Sequence, residues 1–208
     1  VPYTPEETKR RLLAAAVDEF SANGLAGARV DRIAQAADAN KERIYAYFGD
    51  KEGLFGAALE STLLAVIHAV PIAGEGVDAV LDYAASVFDY QLAHPELPRL
   101  LAWEGLERTT PVAFDARSLA HSRKIAQMRV VLPGLDEATA AELLLTIVTL
   151  SDGWQVFRSI DQLYSGGRTH LPERIAARRA FVLRTVRSLV ESLVAESAED
   201  AAARGRNA

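Results

Sequence analysis

Apolar residues in this chain recur every three or four positions, from Leu12, Leu13, Ala16, Val17 and Phe20 near one end to Val182, Val186, Leu189 and Leu193 near the other. That spacing is the 3.6-residue period of an amphipathic helix, and almost nothing shows the two-residue alternation of a half-buried strand. The chain is expected to be all-α. Helix punctuation divides it. Thr4-Pro5-Glu6-Glu7 has the form of a capping box with Pro at the first helical position, and Asn23-Gly24 ends the helix it opens. Two short amphipathic pieces follow, Arg29 to Ala37 and Lys41 to Phe48, separated by Asp38-Ala39-Asn40. Gly49 suits a C-terminal cap and Asp50 an N-cap, which opens a longer helix from Lys51 to about Ala69. After the break from Pro71 to Gly76, further helices are expected at Val77 to Ala93, Glu96 to Arg108, Pro111 to Leu132, Glu137 to Leu163 and Pro172 to Ala198. Tyr164 to Leu171 is expected to be a loop, and the tail from Glu199 disordered.

Composition narrows the function classes. With 208 residues, half of them apolar and a quarter charged, the chain can bury a core. It has no cysteine, which removes disulfides and thiolate metal sites and fits a cytoplasmic setting. The longest apolar run, Leu143 to Leu150, is far too short to span a membrane. The net charge of −5 argues against nucleic-acid binding over the whole surface, and residues 1–55 carry eight Lys/Arg against nine Asp/Glu. Any basic face must arise by arrangement.

Such an arrangement is legible in the two short helices, whose separation by three residues suggests a helix-turn-helix. Ile44 and Phe48 lie four apart and form the buried side of the second, leaving Lys41, Glu42, Arg43, Ala46 and Tyr47 on or near exposed faces. Asn40 is placed to cap that helix and turn its first amides toward a phosphate, and Lys51 adds a cation beside the same backbone. Arg43 has the fork to read guanine, and Glu42 could accept from a cytosine amine. In isolation, Lys41-Glu42-Arg43 reads as a solvated helix surface and the rings of Tyr45 and Tyr47 as packing.

The stretch from Val30 to Phe55, VDRIAQAADANKERIYAYFGDKEGLF, resembles the N-terminal signature of the TetR (tetracycline-repressor) family at Ile33, Ala34, Ala37, Ile44, Tyr45, Tyr47, Phe48, Asp50, Lys51, Glu52 and Leu54. Asp38 stands where that family usually has glycine, at a turn where φ > 0 is called for. Ala28 replaces a common Thr, leaving Arg29 to supply the phosphate contact. The resemblance implies a DNA-binding domain over residues 1–50, with Arg29, Asn40, Lys41, Glu42, Arg43, Tyr45, Tyr47 and Lys51 facing operator DNA. It also implies a larger helical ligand-sensing and dimerisation domain over residues 51–198.

In that second half, polar residues interrupt apolar faces. Phe114, Ser118, His121, Ile125, Met128 and Leu132 share one stripe, and Glu104 shares a face with Leu97, Leu100 and Leu101. The bland reading makes His121 a core histidine and Glu104 to Arg108 a surface pair. With the resemblance, Phe88, Trp103, Glu104, Phe114, His121, Met128 and Trp154 become the expected lining of a small-molecule pocket. The helix from Glu137 is apolar on two sides. Burial inside a monomer and burial against a second chain fit that pattern equally well, and the resemblance selects a homodimer through Leu144, Val148, Ser151, Val182, Val186 and Leu189. The function implied is a repressor released from a pseudo-palindromic operator by a small molecule, without cofactor, metal site or membrane partner. The alternatives are a non-sensing helical DNA-binding or interaction module, and a small helical acid/base enzyme using His121 and Glu104. No HExxH, GxSxG or phosphate-binding glycine loop supports the enzyme.

Overall fold

The computed structural model describes residues 3–206, and among them every regular element is helical: α1 (Pro5–Gly27), α2 (Val30–Ala36), α3 (Lys41–Phe48), α4 (Lys51–Ala69), α5 (Gly76–Ala93), α6 (Glu96–Glu107), α7 (Phe114–Val131), α8 (Glu137–Val156), α9 (Arg158–Ser165) and α10 (Pro172–Arg206). Helix starts follow their sequence signals. Thr4 Oγ1 accepts from the Glu7 amide and Asp136 Oδ1 from the Thr139 amide, each satisfying a donor that the first turn leaves without a helical partner. Asp50 Oδ1 likewise accepts from the Gly53 amide at 2.7 Å.

Packing divides the chain into two compact units. One comprises the chain through Ala69 with His94–Arg117, and the other Val70–Ala93 with the chain from Ser118 onward. This differs from the boundary after residue 50 read from the sequence, because α4 and α6 both pack on α1. In the first unit Leu12, Ala16, Phe20, Ile33, Ile44, Leu54, Phe55 and Leu59 form the core, with Phe20 and Phe55 edge to face at 5.2 Å. In the second, α5 packs on α8 and α10 around Val80, Ala84, Phe88, Leu143, Ile147, Val182 and Val186.

Four boundaries depart from the sequence reading. α1 is broken at Gly24 (φ 69°), where the expected end lies, and one more turn follows. A Cβ at Gly24 would stand 2.8 Å from Trp103, so only glycine fits both the backbone and the neighbour. α7 begins at Phe114 rather than Pro111, because Ala113 (φ 50°) makes a turn that no helix can include. The long helix expected from Glu137 to Leu163 breaks at Phe157 (φ −93°, ψ 43°) into α8 and α9, with no proline to announce it. The expected disordered tail is helical through Arg206, in keeping with its alanine-rich composition, and the remainder of the tail, residues 207–208, falls outside the described residues.

The turn between α2 and α3 does contain the positive φ anticipated from the sequence: Asp38 sits at φ 49°. Left-handed backbone costs a residue with a Cβ about 1 kcal/mol relative to glycine. Asp38→Gly should therefore stabilise the chain by about 0.5–1 kcal/mol and Asp38→Val destabilise it by at least about 1 kcal/mol, both read from urea midpoints at constant m. Equal stability of the two variants would show that the turn is not strained.

Candidate nucleic-acid interface

Eight residues of helix make only two turns, too few to persist alone, so α3 depends on what it buries. Ile44 and Ile33 have no exposed surface, and Ala28, Ala34 and Ala37 are buried as well. The turn bonds Ala37 N–H to Ile33 O, Asp38 N–H to Gln35 O and Ala39 N–H to Ala34 O hold α2 at a fixed angle to α3. With Ile44 inward, Lys41, Glu42, Arg43, Tyr45 and Ala46 are exposed and Tyr47 half-buried. With its side chains a helix is about 10–12 Å across, which fits a major groove about 12 Å wide.

The cations are held by neighbours rather than left loose. Arg43 Nη1 donates to Thr8 Oγ1 of α1 at 3.0 Å, one of the five N–H donors of the guanidinium. Lys41 pairs with Asp31 of α2 at 2.9 Å, and the hydrogen bond between them lifts the lysine above its usual pKa and lowers the aspartate. Lys51 Nζ donates to Ala26 O at 3.3 Å, joining α4 to the last turn of α1. Asn40 has the extended backbone of an N-cap, but its side chain makes no capping bond, contrary to the sequence reading, and remains exposed. Arg29 is exposed at the start of α2, with its amide bonded to Glu19. Arg32, one turn further along the same helix and 3.6 Å from Glu19, is an exposed cation that the sequence reading left out. Its i+3 spacing from Arg29 was the available signal.

The expected pocket residues divide between the units. Trp103, Glu104 and Phe114 belong to the first, and Phe88, His121, Met128 and Trp154 to the second. Trp103 Nε1 donates to Ser21 O, and Glu107 accepts from the Leu25 and Ala26 amides, so α6 clamps the broken end of α1. Glu104 is buried, accepts from the Val112 amide at 2.8 Å and pairs with Arg117 at 2.8 Å. The expected Glu104 to Arg108 pair does not form, since Arg108 reaches Glu52 instead. Phe114 and His121 are exposed, whereas Met128 is fully buried. Phe88 and Trp154 stack at 5.7 Å.

The expected interface residues also need correction. Val182 and Val186 are buried in their own unit, and Ser151 spends its hydroxyl on Ile147 O. Among the described residues, the large apolar side chains that α8 and α10 leave exposed are Leu145, Phe181 and, further along α10, Val194. One acid in this unit is unusual: Asp152 has a buried Oδ1 with no partner, and burial pushes its carboxyl up to about 7.

A short helix whose outer face is polar, locked by an apolar seam to a second helix across a tight turn, is the helix-turn-helix of DNA-binding regulators. The model of the bacterial regulatory proteins of the tetR family matches residues 12–58, and the model of the tetracyclin repressor-like C-terminal domain matches residues 79–188. The HTH-type transcriptional repressor SCO4008 of Streptomyces coelicolor is 40% identical over 170 residues, covering 78% of this chain and 86% of the relative. The HTH-type transcriptional repressor NicS of Pseudomonas putida is 28% identical over 178 residues, covering 82% of each. The crystal structure of SCO4942 from Streptomyces coelicolor superposes with a TM-score of 0.69 at 31% identity, covering 88% of this chain and 97% of that one. This chain belongs to the TetR family of transcriptional regulators. Among the described residues no helix is long and apolar enough to cross a membrane, and no group of three His, Asp or Glu is placed to hold a metal.

Two outcomes follow from these geometries. Arg43→Ala should relax discrimination at particular bases by about 1–3 kcal/mol each, whereas Lys51→Ala should weaken all sequences alike and flatten the salt dependence by about one charge. Equal effects on every sequence would contradict the roles. Asp152 binds more protons folded than unfolded between its ordinary carboxyl pKa and about 7, so its contribution to stability falls as pH rises through that window. Asp152→Asn should raise Tm at pH 8 and leave it nearly unchanged at pH 4; the same gain at both pH values would overturn this.

Proposed function

We propose that this protein is a dimeric repressor that binds a pseudo-palindromic operator and is released by a small molecule held in its second unit. The observation that carries the reading is the complete burial of Ile44 on α3, which leaves Lys41, Glu42, Arg43 and Tyr45 presented together on its outer side. Repression is favoured by the two curated relatives, both named as repressors.

A single two-turn helix reads too few base pairs to specify a site, and two copies related by a two-fold axis read a palindrome. The second copy is therefore the natural cover for the exposed apolar residues of α8 and α10, Leu145 and Phe181, with the half-buried Val148 and Leu189 beside them. Arg178 Nη2 donates to Leu150 O and ties these two helices together, so they would meet a partner as one surface.

Release follows from linkage: an effector lowers operator affinity by its differential affinity for the conformations that do and do not place both α3 helices in their grooves. The chain passes between the units at Ala69–Val70, Ala93–His94 and Arg117–Ser118, and these crossings carry the coupling. Within the first unit, α4 and α6 are the helices that pack on α1, so a displacement of either reaches the DNA-binding helices directly.

Selection of genomic fragments followed by footprinting should return half-sites about one helical turn, or a multiple, apart. Leu145→Glu and Phe181→Glu should each give folded monomers whose operator affinity falls by about two orders of magnitude, because the second half-site is no longer tethered. Val182→Glu should instead unfold the second unit, since its charge would enter that unit's own core. Sedimentation showing a wild-type monomer at micromolar concentration would refute the dimer.

A further inference from the structure

The break at Phe157 turns α9 away from the line of α8, and the loop after α9 leads into α10. Between them lies a cavity of about 40 Å³, walled by Leu92 and Ile175 and by the polar residues Trp154, Arg158, Asp161 and Thr169. Nothing in DNA binding uses it. Three of its lining residues carry buried polar atoms without a partner: Trp154 Nε1, Asp161 Oδ2 and Thr169 Oγ1. Asp161 and Thr169 are each only 6% exposed. Native proteins leave few such atoms, and a group of them among the residues lining one cavity marks a place where something polar binds.

We propose that this cavity is a binding site for a small uncharged ligand carrying an amide-like pair, a carbonyl beside an N–H. The indole Nε1 can only donate and the carboxylate oxygen can only accept, so the ligand must offer one acceptor and one donor, with the Thr169 hydroxyl able to serve either. Charge excludes the simpler ions. Asp161 is already paired with Arg174 through its other oxygen, and Arg158, bonded to Gln155, adds a further cation at the wall. A carboxylate ligand would face Asp161 and an ammonium would face the Arg158 guanidinium, whereas a neutral dipole satisfies both ends. The volume admits about three water-sized groups, which sets acetamide as the scale of the fitting fragment. Entry is provided by the loop that carries Thr169, whose Gly166 (φ 61°) and Gly167 (φ 81°) hold left-handed backbone that glycine leaves easily.

The proposal rests on the reading of the second unit as the sensing unit, and one titration separates the two. The chain has two tryptophans. Trp103 Nε1 is already bonded to Ser21 O, so its indole N–H resonance is an internal control in 15N–1H spectra of the full chain, with Trp154→Phe giving the assignment. Acetamide should shift the Trp154 resonance saturably, with a Kd in the millimolar range set by so few atoms, and leave Trp103 in place. N,N-dimethylacetamide, acetate and methylammonium should bind at least about tenfold more weakly, and Thr169→Val should cost acetamide about tenfold while Tm is retained. No saturable shift up to roughly 0.5 M, meaning ordered water only, would overturn the proposal. So would equal binding of dimethylacetamide or equal shifts at both tryptophans. Saturable acetamide binding with unchanged operator affinity would leave the site standing and contradict only its coupling to DNA.

Discussion

Burial of Ile44 is the interaction on which the DNA-binding surface depends. A two-turn helix has no stability of its own, and its orientation is set by the one side chain it sinks into its neighbour. Complete burial of a branched aliphatic side chain is worth about 1.5–3 kcal/mol, which offsets the backbone entropy of ordering one or two residues. Because Ile44 fixes the rotation of α3, it also determines that Lys41, Glu42 and Arg43 face outward together. The polar bonds around it refine this placement: Thr8 holds one guanidinium nitrogen of Arg43, and Asp31 holds Lys41.

A second constraint lies at the broken end of α1. Gly24 admits Trp103 so closely that no side chain could stand in its place, and Glu107 caps the amides that the break exposes. Glu104 and Arg117 complete this end of the first unit as a buried pair, which is costly to separate once formed. The segment His94–Arg117 is thus bound to the helices that carry the DNA contacts while its two ends connect by chain to the second unit. That connectivity gives the effector proposed for the second unit a covalent route to α1, without any requirement that it approach DNA.

Local sequence signals disclosed the N-terminal helices almost completely, because caps and turns are written in neighbouring residues: Thr4, Asp50 and Gly49 act where the pattern put them, and Asp38 adopts the positive φ that its family position called for. What failed depends on partners distant in sequence. Nothing near Glu104 announces Arg117, and nothing near Arg43 announces Thr8. Periodicity shows that α8 and α10 are apolar on more than one side, but not which side their own unit covers: Val182 fits an interface by pattern and is buried in its own unit, while Phe181 beside it is exposed. The break at Phe157 was hidden for a similar reason, since the turn there is made by packing and carries no proline.

In the proposed function, α3 reads bases from the major groove at two symmetric positions. Methylation interference on a footprinted operator tests it most directly, because guanine N7 lies in the major groove and adenine N3 in the minor. N7 methylation should block binding at two clusters related by the operator's symmetry and about one helical turn, or a multiple, apart. Interference confined to adenine N3, or to a single cluster, would contradict the account.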